Sequence, residues 1–200
     1  MSTLAAAGNL TGRALSAMRI RPGTLTAIGV VASIVTPLIT RRGGVFVAVA
    51  ALLVLTTAGT DIGRSALAVH TGRRSARGEV FDSLGARVAE AGWLFAFFAL
   101  GAMGGVVVIA GALSWLHEYV RAKAVSAGMT EPGMQTLGER NMRVIIAVVG
   151  FVIAGAAVVL GDGLSGGFAT GIASLATTAW ALLSALGFVQ LLIVVGSALR

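Results

Sequence analysis

Two clusters of ionisable residues break a chain that is otherwise apolar, and they set the chemistry available to it. Asp61 and Arg64 stand at spacing i, i+3 with Ala68 at i+7, so a helix over this stretch carries all three on one face. Asp82, Arg87 and Glu90 form the second cluster, joined to the first by the short basic connection His70-Thr71-Gly72-Arg73-Arg74-Ser75-Ala76-Arg77-Gly78, which makes the two helices antiparallel neighbours with these polar ends facing each other. Carboxylates beside guanidinium groups allow two outcomes. They close on each other as an interfacial ion network, or they line a pocket suited to phosphate-bearing ligands. A third basic group, Arg121, Lys123, Arg140 and Arg143, offers a second phosphate site or contact with anionic lipid heads. His117 and Glu118 beside it read as interface anchors.

The elements that position these groups are membrane spans. The 200 residues are 56% hydrophobic and 12% charged, with mean hydropathy +0.92, whereas a soluble domain carries about 25% charged residues. Cysteine is absent, which removes disulfides, thiolate metal sites and cysteine nucleophiles. A span needs about 20 apolar residues. Uncharged stretches run 22–40, 43–60, 91–117, 144–161 and 163–199. If 91–117 crossed once, the basic clusters on either side of it would lie on opposite faces of the membrane. A hairpin at Gly101, Gly104 and Gly105 instead places thirteen of the fifteen Lys and Arg on the side of both termini, leaving only Arg41 and Arg42 opposite. The basic balance thus marks topology, not a nucleic-acid partner.

The expectation is an all-α integral membrane protein with helices over 23–40, 45–69, 79–100, 104–123, 139–161 and 168–198. Residues 1–22 precede them as a cytoplasmic amphipathic surface helix built on Leu4, Leu10, Leu15 and Met18 with Arg13, Arg19 and Arg21. Residues 23–200 then form a single domain in the plasma membrane, with both termini and the polar ends cytoplasmic. A channel or transporter would need polar groups through the midplane of several helices, and here they gather at one end.

The segment 61–86 resembles the signature of the CDP-alcohol phosphotransferase family, D-x2-D-G-x2-A-R-x8-G-x3-D-x3-D. Asp61, Ala68, Gly78 and Asp82 match it, whereas Arg64, Ser65, Val69 and Ala86 replace the second aspartate, first glycine, arginine and fourth aspartate. Pro22-Gly23-Thr24-Leu25-Thr26-Ala27-Ile28-Gly29 resembles the family's P-N-x-L-T-x-x-G. Thr71-Gly72-Arg73, Asp82-Ser83 and Arg87-Val88-Ala89-Glu90 resemble its T-G-R and D-S-x-x-D-R-x-A-E segments. Tyr119-Val120-Arg121-Ala122-Lys123 and Gly138-Glu139-Arg140 are similar to segments of the phosphatidylinositol-phosphate and phosphatidylglycerophosphate synthase branch.

The resemblance implies six helices, a homodimer, CDP-diacylglycerol or another anionic lipid as ligand, and magnesium or manganese held by four aspartates, the last of them a base. It also implies that Arg121, Lys123, Arg140 and Arg143 recognise the phosphate of an acceptor alcohol. In this chain only Asp61 and Asp82 remain as metal ligands, an incomplete set. Arg64 repels a cation and is shaped to hold phosphate or a carboxylate directly. Loss of the base at Ala86 is worth about 10²–10⁴-fold in rate. Glu79, Glu90 and His70 are the candidate replacements. The expected function is therefore a catalytically impaired relative acting in phospholipid synthesis. The alternative is an active phosphatidyltransferase that releases CMP from CDP-diacylglycerol at a rearranged site.

Overall fold

The computed structural model describes residues 15–17, 20–72, 75–129, 137–160 and 167–199. Six long helices are described: α1 Pro22–Thr40, α2 Phe46–Thr71, α3 Ala76–Ala99, α4 Gly104–Ser126, α5 Arg140–Val159 and α6 Gly167–Ala198. Their bounds lie within three residues of those expected. Of the amphipathic segment, most lies outside the described residues. Residues 15–17 are helical, and Leu15 approaches Gly63 of α2.

Local chemistry explains where the helices begin and end. Pro22 opens α1 at a position where its missing N–H costs nothing. Gly72 ends α2 in the left-handed region, with φ +63°. The Ser75 hydroxyl accepts from the Gly78 N–H to start α3. The hairpin between α3 and α4 falls where charge asymmetry put it. Gly101, at φ +99°, donates to the Phe98 carbonyl, and Ala102 reaches back to that of Phe97, the Schellman closure that glycine permits. The Thr170 hydroxyl of α6 then caps the free Leu100 carbonyl at 2.6 Å.

Four helices, α1, α2, α5 and α6, are long and apolar enough to cross a membrane. The first half of α3 carries Arg77, Glu79, Asp82, Arg87 and Glu90, and the end of α4 carries Glu118, Arg121 and Lys123, so these two are less apolar. Large apolar side chains such as Val31, Leu52, Phe95, Val108, Leu182 and Ile193 point outward. Inside, Trp93, Phe97, Phe151 and Trp180 are fully buried, and the Phe97 and Phe151 rings stack at 4.5 Å.

The packing corrects one expectation. The short connection suggested that α2 and α3 lie side by side, but α1 packs against both of them while α3 packs against α4, α5 and α6. Small residues allow this. Gly92 of α3 sits directly on the Ser33 backbone of α1, and Gly29 of α1 on Thr60 of α2. On the other side of α2, Gly155 of α5 lies against Ala48. Among the described residues the second and third helices meet at their polar ends, where Arg64 reaches Asp82.

Candidate functional site

One turn of α2 presents Asp61 and Arg64, and the first turns of α3 present Asp82, Ala86, Arg87 and Glu90. α5 begins with Arg140 and Arg143, and α4 contributes Glu118 and Arg121. Because the middle of each helix is packed by small and aromatic residues, these groups collect at one end of the bundle.

Arg64 donates to Asp82 Oδ2 at 2.5 Å, and the Thr26 hydroxyl of α1 donates to the other oxygen of that carboxylate at 2.8 Å. Asp61 does not join them. It pairs with Arg140 at the head of α5. The two carboxylates that sequence comparison marked as metal ligands are therefore each held by a guanidinium, and the four charges balance. Arg121 lies 4.0 Å from Glu139.

A second, deeper network lies beneath. Arg143 contacts Glu118 at 2.6 Å, Glu90 at 3.4 Å and the Ser114 carbonyl at 3.2 Å. Arg87 lies 3.0 Å from Glu90 and 3.8 Å from Glu118. Two arginines against two glutamates leave no net charge, which is what burial requires, since Glu90 is 0% and Arg143 1% exposed. Below them the Trp180 indole N–H donates to Ser114 Oγ at 2.9 Å.

Three hollows open around the upper pairs. A cavity of about 360 Å³ is lined by Arg64, Asp82, Ala86, Glu118, Arg121 and Arg140, among others. An apolar groove of about 790 Å³ between α2 and α5 reaches Asp61, Arg64 and Arg140. Another of about 700 Å³, between α1 and α3, ends on Arg64, Ala68, Gly78 and Asp82. Arg64 lines all three, so it stands where two grooves meet a polar chamber.

The sequence-derived residues thus separate into distinct positions. Asp61, Arg64, Asp82 and Arg140 come together, with Arg121 on the rim of the same chamber. Lys123 is exposed, 5.9 Å over the Tyr119 ring. Arg143 does not share the surface with Arg121 and Lys123, because one turn of α5 beyond Arg140 carries it into the core. Glu90 is enclosed with it, while Glu79 and His70 are exposed. His117 is buried at 1% exposure, and Glu118 belongs to the deep network and not to a membrane anchor. Ser114 has no part in the sequence reading, and Arg87 and Thr26 enter it only as members of a charged cluster and of the matched segments. The i, i+3 spacing shared by Arg87–Glu90 and Arg140–Arg143 was the available sign of two facing, two-tiered helices.

Two solved structures share this arrangement of helices. Phosphatidylinositol phosphate synthase from Mycobacterium tuberculosis, in complex with manganese and citrate, superposes with TM-score 0.73 at 20% identity, covering 96% of this chain and 90% of that one. The same enzyme with CDP-DAG bound gives TM-score 0.72 at 19% identity, covering 96% and 94%. The fold is that of a CDP-alcohol phosphotransferase. No protein-family model matches the chain, and no curated protein matches it by sequence.

Do the residues of this CDP-alcohol phosphotransferase fold suit a divalent metal? Among the described residues no three His, Asp or Glu side chains gather as a metal-binding group. Asp61 and Asp82 already carry guanidinium partners, and Ala86 brings a methyl group to the chamber wall. Two dications placed here would face two arginines and lack oxygen ligands. The donor set does not fit.

Proposed function

We propose that this chain is a catalytically impaired CDP-alcohol phosphotransferase-fold protein of phospholipid synthesis, spanning the membrane six times with both termini and the polar chamber on the cytoplasmic side. One observation carries the reading: both remaining signature aspartates are closed by arginines, Arg64 on Asp82 and Arg140 on Asp61. Phosphoryl transfer needs positive charge on the developing oxyanions and an activated hydroxyl in line. Here the positive charge is engaged by carboxylates, and Ala86 supplies no base.

The fold, the two grooves and the arginines that meet them support retention of an anionic lipid ligand, of which CDP-diacylglycerol is the first candidate. Arg64 and Arg140, with Arg121 and Lys123 at the rim, are the groups to hold its phosphates. Arg143 serves the core. A homodimer is part of the proposal and rests on the family resemblance.

The test is release of CMP from CDP-diacylglycerol by protein in mixed micelles with magnesium or manganese, offered inositol phosphate or glycerol phosphate. The proposal expects none above background beside an active synthase. Turnover lost on Asp82→Ala would establish the other reading, an active phosphatidyltransferase.

A further inference from the structure

Every arginine that lines the polar chamber faces a carboxylate: Arg64 with Asp82, Arg87 with Glu118, Arg121 with Glu139, and Arg140 with Asp61. The outer pairs are partly open to solvent, at 17% and 24% for Arg64 and Asp82 and 24% and 30% for Arg140 and Asp61, whereas Glu90 and Arg143 of the deep network are sealed and only its Arg87 and Glu118 reach the chamber. We infer that Asp61 and Asp82 act as built-in anionic plugs on Arg140 and Arg64, and that a diphosphate group enters by displacing them and binds to the two guanidinium groups without a divalent cation. This rests on the impaired-enzyme reading and gives its ligand site a mode of recognition.

Three observations lead there. The four charges share walls: Asp61, Arg64 and Arg140 line the groove between α2 and α5, and Arg64, Asp82 and Arg140 line the chamber. Arg64 and Arg140 both border the chamber and the groove between α2 and α5, so a lipid lying in that groove would bring its headgroup to both. A guanidinium fork takes phosphate oxygens in the geometry in which it takes a carboxylate, and a diphosphate presents more charge than either aspartate. The exchange replaces one ion pair by another of higher charge. It requires no reorganisation of the buried network, because Glu90 and Arg143 stay paired below.

The inference reverses the sign expected of a metal site. Where aspartates hold metal, neutralising them weakens ligand binding. Where they are plugs, neutralising them strengthens it. Asp82→Asn suits the test, since the amide oxygen can still accept from Thr26 while the charge is lost. Removing a competing partner from a partly exposed pair should tighten binding by about three- to tenfold.

The experiment measures equilibrium binding in EDTA of two probes, inorganic pyrophosphate and CDP-diacylglycerol in nanodiscs, to the full chain and to Asp82→Asn, Asp61→Asn and Arg64→Gln. Wild-type binding that is unchanged by replacing EDTA with magnesium, tightened by Asp82→Asn and lost by at least tenfold with Arg64→Gln is the expected result. Asp61→Asn frees Arg140 and should act in the same direction, so it decides the matter if Asp82→Asn does not fold. Binding of pyrophosphate alone assigns a soluble diphosphate, and binding confined to nanodiscs assigns the lipid. A requirement for magnesium, weaker binding by the asparagine variants, or no binding of either probe would overturn the inference. CMP measured in parallel on the same preparations, with magnesium and inositol phosphate or glycerol phosphate in place of EDTA, keeps the two claims apart. Turnover contradicts impairment whatever the binding signs, and absent binding leaves impairment standing while removing the plug.

Discussion

Arg64 and Asp82, on successive helices that both pack against α1, close on each other at 2.5 Å across the mouth of the polar chamber. In the signature that this chain resembles, aspartates stand at both positions. One substitution therefore turns a pair of like charges that requires a cation between them into a pair of opposite charges that excludes it.

Divalent cations should accordingly leave the wild-type protein unaffected. Thermal unfolding in detergent is predicted to show no manganese-dependent shift for the wild type. It should show a rise for the double variant Arg64→Asp with Ala86→Asp, which restores four carboxylates. Ligand-linked stabilisation reaches about 2.7 kcal/mol at a hundred times the dissociation constant, a shift large enough to read. A wild-type protein stabilised by manganese at millimolar concentrations would show that Asp61 and Asp82 still hold a cation despite their arginines.

The deep network should govern stability, not ligand binding. Arg143→Ala removes one of the two arginines on buried Glu90 and leaves Arg87 at 3.0 Å, and breaking such a buried pair costs up to about 3–5 kcal/mol. Replacing both, Glu90→Leu with Arg143→Met, should recover much of that loss. A double-mutant cycle on detergent unfolding gives the coupling, and a single variant near wild type would show that the pair carries little.

Helix contact through glycine is testable at Gly92. An added Cβ meets the Ser33 carbonyl, so Gly92→Ala must push α1 from α3 at about 1–3 kcal/mol. Gly59→Ala, where nothing lies within 4 Å, should be neutral or stabilising by up to about 1 kcal/mol. Equal effects at the two positions would mean that α1 and α3 are not in this contact.

The absence of cysteine makes topology accessible by single introductions. Cysteines at the exposed positions Arg41 and Met103 should react with a membrane-impermeant maleimide from one side of the membrane, and those at His70 and Ala127 from the other. Labelling of Met103 from the same side as His70 would remove the hairpin and the six-span reading with it.

How much of this was legible beforehand differs between backbone and side chains. The hairpin at Gly101 followed from charge: a single span over 91–117 would have split the basic residues, and glycine supplies the left-handed turn. Helix bounds followed from the uncharged stretches to within three residues, while the caps at Gly72 and Ser75 that carry α2 and α3 past the expected 69 and 79 emerge only in the structure. Pairings across the bundle did not. Asp61 and Arg140 are 79 positions apart, and nothing local says that α5 rather than α3 faces the second helix. The insertion of α1 between α2 and α3 was equally hidden, because it depends on Gly29 and Gly92 meeting small residues of other helices. Arg143 was grouped with Arg121 and Lys123 because counting charges by side of the membrane ignores depth. One helical turn, about 5.4 Å, separates a surface arginine from a buried one.

The most direct measurement is CMP release from CDP-diacylglycerol in manganese, run in parallel on the wild type and on Arg64→Asp with Ala86→Asp. The account predicts no release from the wild type and measurable release from the double variant. Release by the wild type, lost in Asp82→Ala, would contradict it.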